Sequence, residues 1–282
     1  MIRPITLGYS TCPNDTFLFH ALAHGRIDRR GLDFDIRLAD VERLNQEAEK
    51  GGLEVTKLSF AAIGHLGGRY GLLRSGAALG RGCGPLVISK PGFDPARLSQ
   101  VPVAVPGMRT TAAMLLGLYL SGTPACVPMT FDEVMPAVSR GEYAAGVIIH
   151  EGRFTFRSYG LAEVVDLGRW WEAETGLPIP LGGIAIRRDL GPEKACRVEA
   201  AIRDSVAHAF AHPEDSATYV KAHAREMADE VVQQHIALYV NDFTLDLGEE
   251  GVAAVAELFR RASAAGLLPD SCRPLLACDD AG

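Results

Sequence analysis

The sequence predicts an α/β fold in two lobes with a cleft between them. Three features carry that expectation. Short apolar runs alternate with stretches of helical period, Pro and Gly cluster at two points in the chain, and long helical periods fill its last third. A length of 282 residues allows one large domain or two small ones. With 48% hydrophobic and 22% charged residues, the chain can build a core and does not read as disordered.

In order, Ile5–Tyr9 reads as a strand, and Asn14 and Asp15 precede a helical run at 16–24 that Gly25 closes. Residues 32–38 alternate as a strand, and Asp40 caps a helix that runs to Lys50 and stops at Gly51. Residues 55–58 are extended, and Ser59 opens the helix Phe60–Leu66. Strands follow at 85–89 and 101–105, then a helix at 112–120 behind Thr110 and Thr111. A helix at 132–140 ends at Gly141, and the apolar strand 144–149 finishes at His150. Helices at 195–211, 216–225, 229–240 and 249–265 complete the chain. Pro and Gly cluster near 91–101 and again near 177–190. These places divide the chain into a larger lobe, 1–99 with 188–282, and a smaller one, 100–187. A cleft between such lobes is a favoured ligand site.

The charge balance is 28 Lys+Arg against 35 Asp+Glu, a net −7. It argues against a nucleic-acid surface, which shows as a basic excess. A local pocket for a small carboxylate stays compatible with that sign. The first residues lack the apolar core of a secretory signal, and no stretch approaches the ~18–20 apolar residues of a membrane span. Cysteines at 12, 83, 126, 196, 272 and 278 show no CxxC pair and no dense spacing. They read as reduced thiols, and the expected location is the cytoplasm. The oligomeric state is not legible.

In open α/β sheets ligands bind beyond the carboxyl ends of strands, where helix N-termini point. Three segments put polar residues there: 10–15, 56–59 and 109–111. Two such ends facing one cleft could hold a carboxylate, with Lys57 adding a positive charge. Equally, Ser59, Thr110 and Thr111 could simply cap their helices. His150 stands at the mouth of a buried strand, where an imidazole can serve as general base or acid, or as a hydrogen-bonded structural histidine. No metal is expected: His20/His24 and His208/His212 lack the Glu of HExxH. Cys12 or Cys83 could serve as a nucleophile, Cys12 lying near a helix start that would lower its pKa, but no pattern pairs either with a base. No GxGxxG precedes a helix and no P-loop is present, so no nucleotide cofactor is expected. The glycine-rich run 80–85 reads as a tight crossing, and Trp170 and Trp171, with 176–183, read either as a wall for an aromatic ligand or as packing between lobes.

Five segments, STCPNDTF (10–17), TKLSFA (56–61), GRGCGP (80–85), AAGVIIHEGRFTF (144–156) and DLGRWWEAETGLPIPLGG (166–183), resemble the 1,4-dihydroxy-6-naphthoate synthase family of the futalosine route to menaquinone. The resemblance runs in order over nearly the whole chain, with Thr11 standing where the family is expected to have proline. It implies a two-lobed fold like the type II periplasmic-binding proteins. It further implies a cofactor-free lyase that converts cyclic dehypoxanthinylfutalosine to 1,4-dihydroxy-6-naphthoate and dihydroxyacetone. His150 matches the family's proton acceptor. Asn14, Asn45, Lys57, Leu58, Ser59, Thr110, Thr111, Ala112 and Ala113 match its substrate-contacting positions. Chorismate dehydratase, a sister enzyme of the same fold, and a non-catalytic small-carboxylate-binding protein are the competing readings.

Overall fold

The computed structural model describes residues 3–224, 228–269 and 274–278. Its first segment contains β1 (Ile5–Tyr9), α1 (Pro13–Ala23), β2 (Phe34–Leu38), α2 (Val41–Glu49), β3 (Val55–Ser59), α3 (Phe60–Leu66), β4 (Tyr70–Leu72) and β5 (Ala78–Gly80). A second run contains β6 (Leu86–Ser89), β7 (Val103–Val105), α4 (Thr111–Tyr119), β8 (Cys126–Pro128), α5 (Phe131–Arg140), β9 (Ala145–Ile148), α6 (Gly152–Thr155) and β10 (Ala162–Asp166). The rest is α7 (Leu167–Thr175), β11 (Ile179–Arg187), α8 (Pro192–Ala211), α9 (Ala217–His223), α10 (Asp229–Tyr239), α11 (Asp242–Leu245) and α12 (Gly248–Ala264). The helix expected at 216–225 extends to Arg225, which lies outside the described residues.

Two mixed sheets result. In the first the order is β2-β1-β3-β11-β4, with β5 also on β11; in the second it is β10-β6-β9-β7-β8. β1 runs parallel to β2 and β3, while β11 runs antiparallel to β3, β4 and β5. Sheet membership moves both crossings from their expected places. Because β6 joins the second sheet, the outward crossing falls at 81–85, ahead of residue 99. Because β11 lies inside the first sheet, the return falls at 167–178, ahead of residue 188. The segment expected as a crossing near 177–190 is therefore a strand in the middle of a sheet. Its loop-like composition has a packing cause. A Cβ on Gly182 would come 2.8 Å from the Leu58 carbonyl oxygen, and one on Gly183 would come 2.6 Å from the Leu72 side chain. Glycine is what lets β11 press this closely on its neighbours.

Local sequence accounts for most helix ends. Asp40 accepts from the Arg43 N–H at 3.0 Å, and Gly141 ends α5 in the left-handed region at φ 82°. α1 begins earlier than expected, with Cys12 as N-cap and Pro13 in the first turn. It is buried from Pro13 to Leu22, so no amphipathic stripe marks where it starts. One core cluster spans the lobes, from Leu58 and Leu72 of the first sheet and Phe60 of α3 to Val87, Val103 and Val147 of the second sheet. Another sits under β1, with Leu7, Leu18, Ile184 and Val198. Trp171 is fully buried, with its Nε1 donating to the Pro178 carbonyl at 3.0 Å.

The expectation of reduced cysteines is corrected at one pair. Cys196 of α8 and Cys278 form a disulfide with Cα atoms 5.5 Å apart. They are 82 positions apart in sequence, and spacing carries no information about a contact made by a returning tail. Cys12, Cys83 and Cys126 are free thiols, and Cys272 lies outside the described residues. No helix among those residues is long and apolar enough to cross a membrane.

Candidate active site

A cavity opens between the sheets, lined from both of them, in the kind of position between lobes that small ligands favour. The starts of α3 and α4 reach it through Ser59 and through Thr110, Thr111 and Ala112. Asn14 and Asp15 come from the first turn of α1, and Lys57 from β3. His150 follows β9, and Leu181 and Gly182 belong to β11. Strand alternation explains the neighbours of Lys57: it and Ser59 face the cavity, whereas Leu58 is turned into the core, fully buried. Asn45, also fully buried, stands behind the wall. Its Nδ2 donates to Ser59 Oγ at 3.2 Å and its Oδ1 accepts from the Ser59 N–H at 3.1 Å. Ala113 lies one position deeper in α4, its N–H donating to Thr110 Oγ1 at 3.2 Å. Of the residues singled out in sequence, Asn14, Lys57, Ser59, Thr110, Thr111, Ala112 and His150 therefore meet in one wall. Leu58, Asn45 and Ala113 support it from outside.

Thr110 is a true cap, and Ser59 is not, because its hydroxyl is engaged by Asn45. Thr111 Oγ1 donates to the Leu181 carbonyl at 2.7 Å, tying α4 to β11. Helix geometry gives the Thr111 and Ala112 amides no intrahelical acceptor, and they stand where an anion would meet the positive end of α4.

The expected free charge on Lys57 is already committed. Its Nζ lies 3.0 Å from Asp15 Oδ1, with both side chains buried, and also donates to the Gly76 carbonyl at 3.3 Å. Asp15 Oδ2 accepts from both the N–H and the hydroxyl of Ser10. Asn14 donates through Nδ2 to Asp15 Oδ1 at 2.9 Å. Attraction for a carboxylate therefore rests on helix amides and hydroxyls more than on an unpaired ammonium.

His150 holds φ at 56°, an uncommon conformation for a residue with a side chain and one that clusters at functional sites. Its Nδ1 lies 3.6 Å from Cys12 Sγ, and the Phe131 ring meets it edge-on. Burial alone would lower its pKa, but the charge and hydrogen bond of Cys12, with Glu151 and Asp15 beyond, raise it to about 9. Cys12 thus has a base beside it after all, one supplied from the other sheet.

Sequence reasoning missed two wall residues on α10, His235 and Tyr239. Their i, i+4 spacing, which puts both on one helix face, was the available signal. Among the described residues no three His, Cys, Asp or Glu side chains gather as a metal site.

Comparison with known proteins settles the family. The family described as "Menaquinone biosynthesis" matches residues 5–264. The chain belongs to the menaquinone-biosynthesis family. Within that family it is 52% identical over 274 residues to a Thermus thermophilus protein named 1,4-dihydroxy-6-naphtoate synthase, covering 97% of this chain and 99% of that one. A Streptomyces coelicolor protein of the same name is 47% identical over 270 residues, covering 94% and 95%. A solved structure from Archaeoglobus fulgidus superimposes with TM-score 0.88 at 37% identity, covering 94% of this chain and 98% of that one. The alkanesulfonate-binding protein SsuA from Xanthomonas axonopodis pv. citri superimposes with TM-score 0.69 at 14% identity, covering 96% of both chains. The menaquinone-biosynthesis family member described here thus has the periplasmic-binding-protein fold and belongs with biosynthetic enzymes.

Proposed function

We propose that this enzyme is a 1,4-dihydroxy-6-naphthoate synthase, a carbon–carbon lyase that acts on cyclic dehypoxanthinylfutalosine with no cofactor. In this reading His150 takes the proton whose loss starts ring opening. Retro-aldol cleavage then releases dihydroxyacetone, and aromatisation of the remaining bicycle drives the reaction forward. The observation that carries the reading is the position of His150: an imidazole on the wall of the same cavity that receives the starts of α3 and α4. A carboxylate held at the Thr111 and Ala112 amides and the Ser59 hydroxyl would lay the bicycle across the cavity toward that ring. Ser59 Oγ already receives Asn45 Nδ2, so its own proton is available to an anion. A positioned base of this kind contributes ~10²–10⁴-fold to rate, and fixed orientation adds to it. With a pKa raised to about 9, the imidazole is a strong proton acceptor once deprotonated.

Incubation of the purified protein with the cyclic precursor, with no added metal or nucleotide, is expected to release the naphthoate. His150→Asn should lose turnover by at least ~10²-fold while retaining the far-UV and near-UV spectra of the folded protein. Wild-type turnover in that variant removes His150 as the base. Binding of the precursor without product formation favours the binding-protein reading, whose fold this chain shares.

A further inference from the structure

His235 lies on α10 with no exposed surface, yet its ring lines the cavity. The tautomer of that ring follows from its neighbours. Asp15 is ion-paired with Lys57, so its carboxylate only accepts. The Asn14 amide nitrogen therefore faces Asp15 Oδ1, at 2.9 Å, and turns the Asn14 oxygen toward His235. His235 Nε2 lies 2.9 Å from that oxygen and must carry the ring proton. Nδ1 is then a bare lone pair, and among the described residues it has no hydrogen-bond partner. The setting keeps it bare: burial and the charges of His150 and Lys57 push the His235 pKa down to about 3.

A buried acceptor left unpaired costs its lost hydration, and a native wall that retains one calls for a functional reason. The ring stacks at 6.2 Å on His150, so a group meeting His235 is also beside the proposed base. Tyr239, one turn further along α10, lines the same wall. We propose that His235 Nδ1 is the acceptor for a hydroxyl of the bound ligand, so that His235 binds the oxygen-bearing, sugar-derived part of the substrate beside His150. The assignment rests on the lyase reading above, in which the departing three-carbon fragment carries the hydroxyls. It divides the cavity by chemistry. Helix amides take the carboxylate, and the neutral imidazole takes an O–H, which a cation could not do.

The test uses His235→Gln in the full chain. A Gln amide nitrogen reaches the place of Nε2 and keeps the bond to Asn14, while nothing replaces the Nδ1 lone pair. With the cyclic precursor, KM is expected to rise ~10-fold, the loss of one hydrogen bond, with kcat within about twofold. Affinity for 2-naphthoate, a carboxylated bicycle without hydroxyls, should be unchanged by calorimetry. His235→Asn sets an amide oxygen near the Nδ1 position and should recover part of the KM. An unchanged KM in His235→Gln overturns the assignment. So does an equal loss of 2-naphthoate binding, which would mark a structural role only. A wild-type protein that makes no naphthoate from the precursor sinks the lyase reading itself, and the hydroxyl assignment with it.

Discussion

Cys12 Sγ lies 3.6 Å from His150 Nδ1 across 138 positions of sequence, so the N-cap of α1 and the residues just beyond β9 meet at the proposed base. The contact couples a thiol to an imidazole, and it works against burial in setting that imidazole's pKa.

Removing the sulfur should therefore shift the base. In wild type, kcat/KM is expected to rise with pH toward a limb near 9, where His150 loses its proton. In Cys12→Ala the burial effect is left less opposed, and the limb moves to lower pH. An NMR titration of the His150 ring gives the same shift without turnover. A limb that stays in place would separate Cys12 from the chemistry.

The buried pair Lys57–Asp15 gives a stability prediction. Lys57→Met leaves the Asp15 carboxylate buried without its cation, at a cost of about 3–5 kcal/mol, measured by urea unfolding. Combining it with Asp15→Asn should return part of that loss, because neither charge then remains.

Two histidines should give the stability curve opposite slopes. His235 has its pKa lowered to about 3, so between its ordinary value near 6.5 and 3 the unfolded chain binds a proton that the native state refuses. Its contribution to stability is present above pH 6.5 and falls as pH drops through that window, by up to about 1.4 kcal/mol per pH unit. His150 is raised instead, so its contribution is present below 6.5 and is lost as pH rises through about 9. Thermal unfolding across pH should show both limbs, and His235→Gln should flatten the acid one.

The disulfide between Cys196 and Cys278 anchors the chain's tail to α8 across 82 positions. Cys196→Ser is expected to cost about 2–4 kcal/mol through the freed unfolded chain. Reductant should lower the melting temperature of wild type and leave the variant unmoved.

By itself the sequence determined the elements with a clear local signal. Ile5–Tyr9 and Phe60–Leu66 fall where their patterns put them, and Asp40 and Gly141 end helices through chemistry within a few residues of each. It also marked the helix starts and His150, because a polar residue at the end of an apolar run is a local feature. Only tertiary structure decided the rest. β11 reads as a loop because its glycines answer to the close approach of Leu58 and Leu72, which no local pattern records. The pairing of Cys12 with His150, of Lys57 with Asp15 and of Cys196 with Cys278 depends on strands and helices far apart in sequence. His235 sits in an ordinary helix, and what singles it out is the orientation of Asn14, 221 positions away. Charge state and hydrogen-bond capacity are properties of surroundings, and those surroundings exist only once the chain has folded.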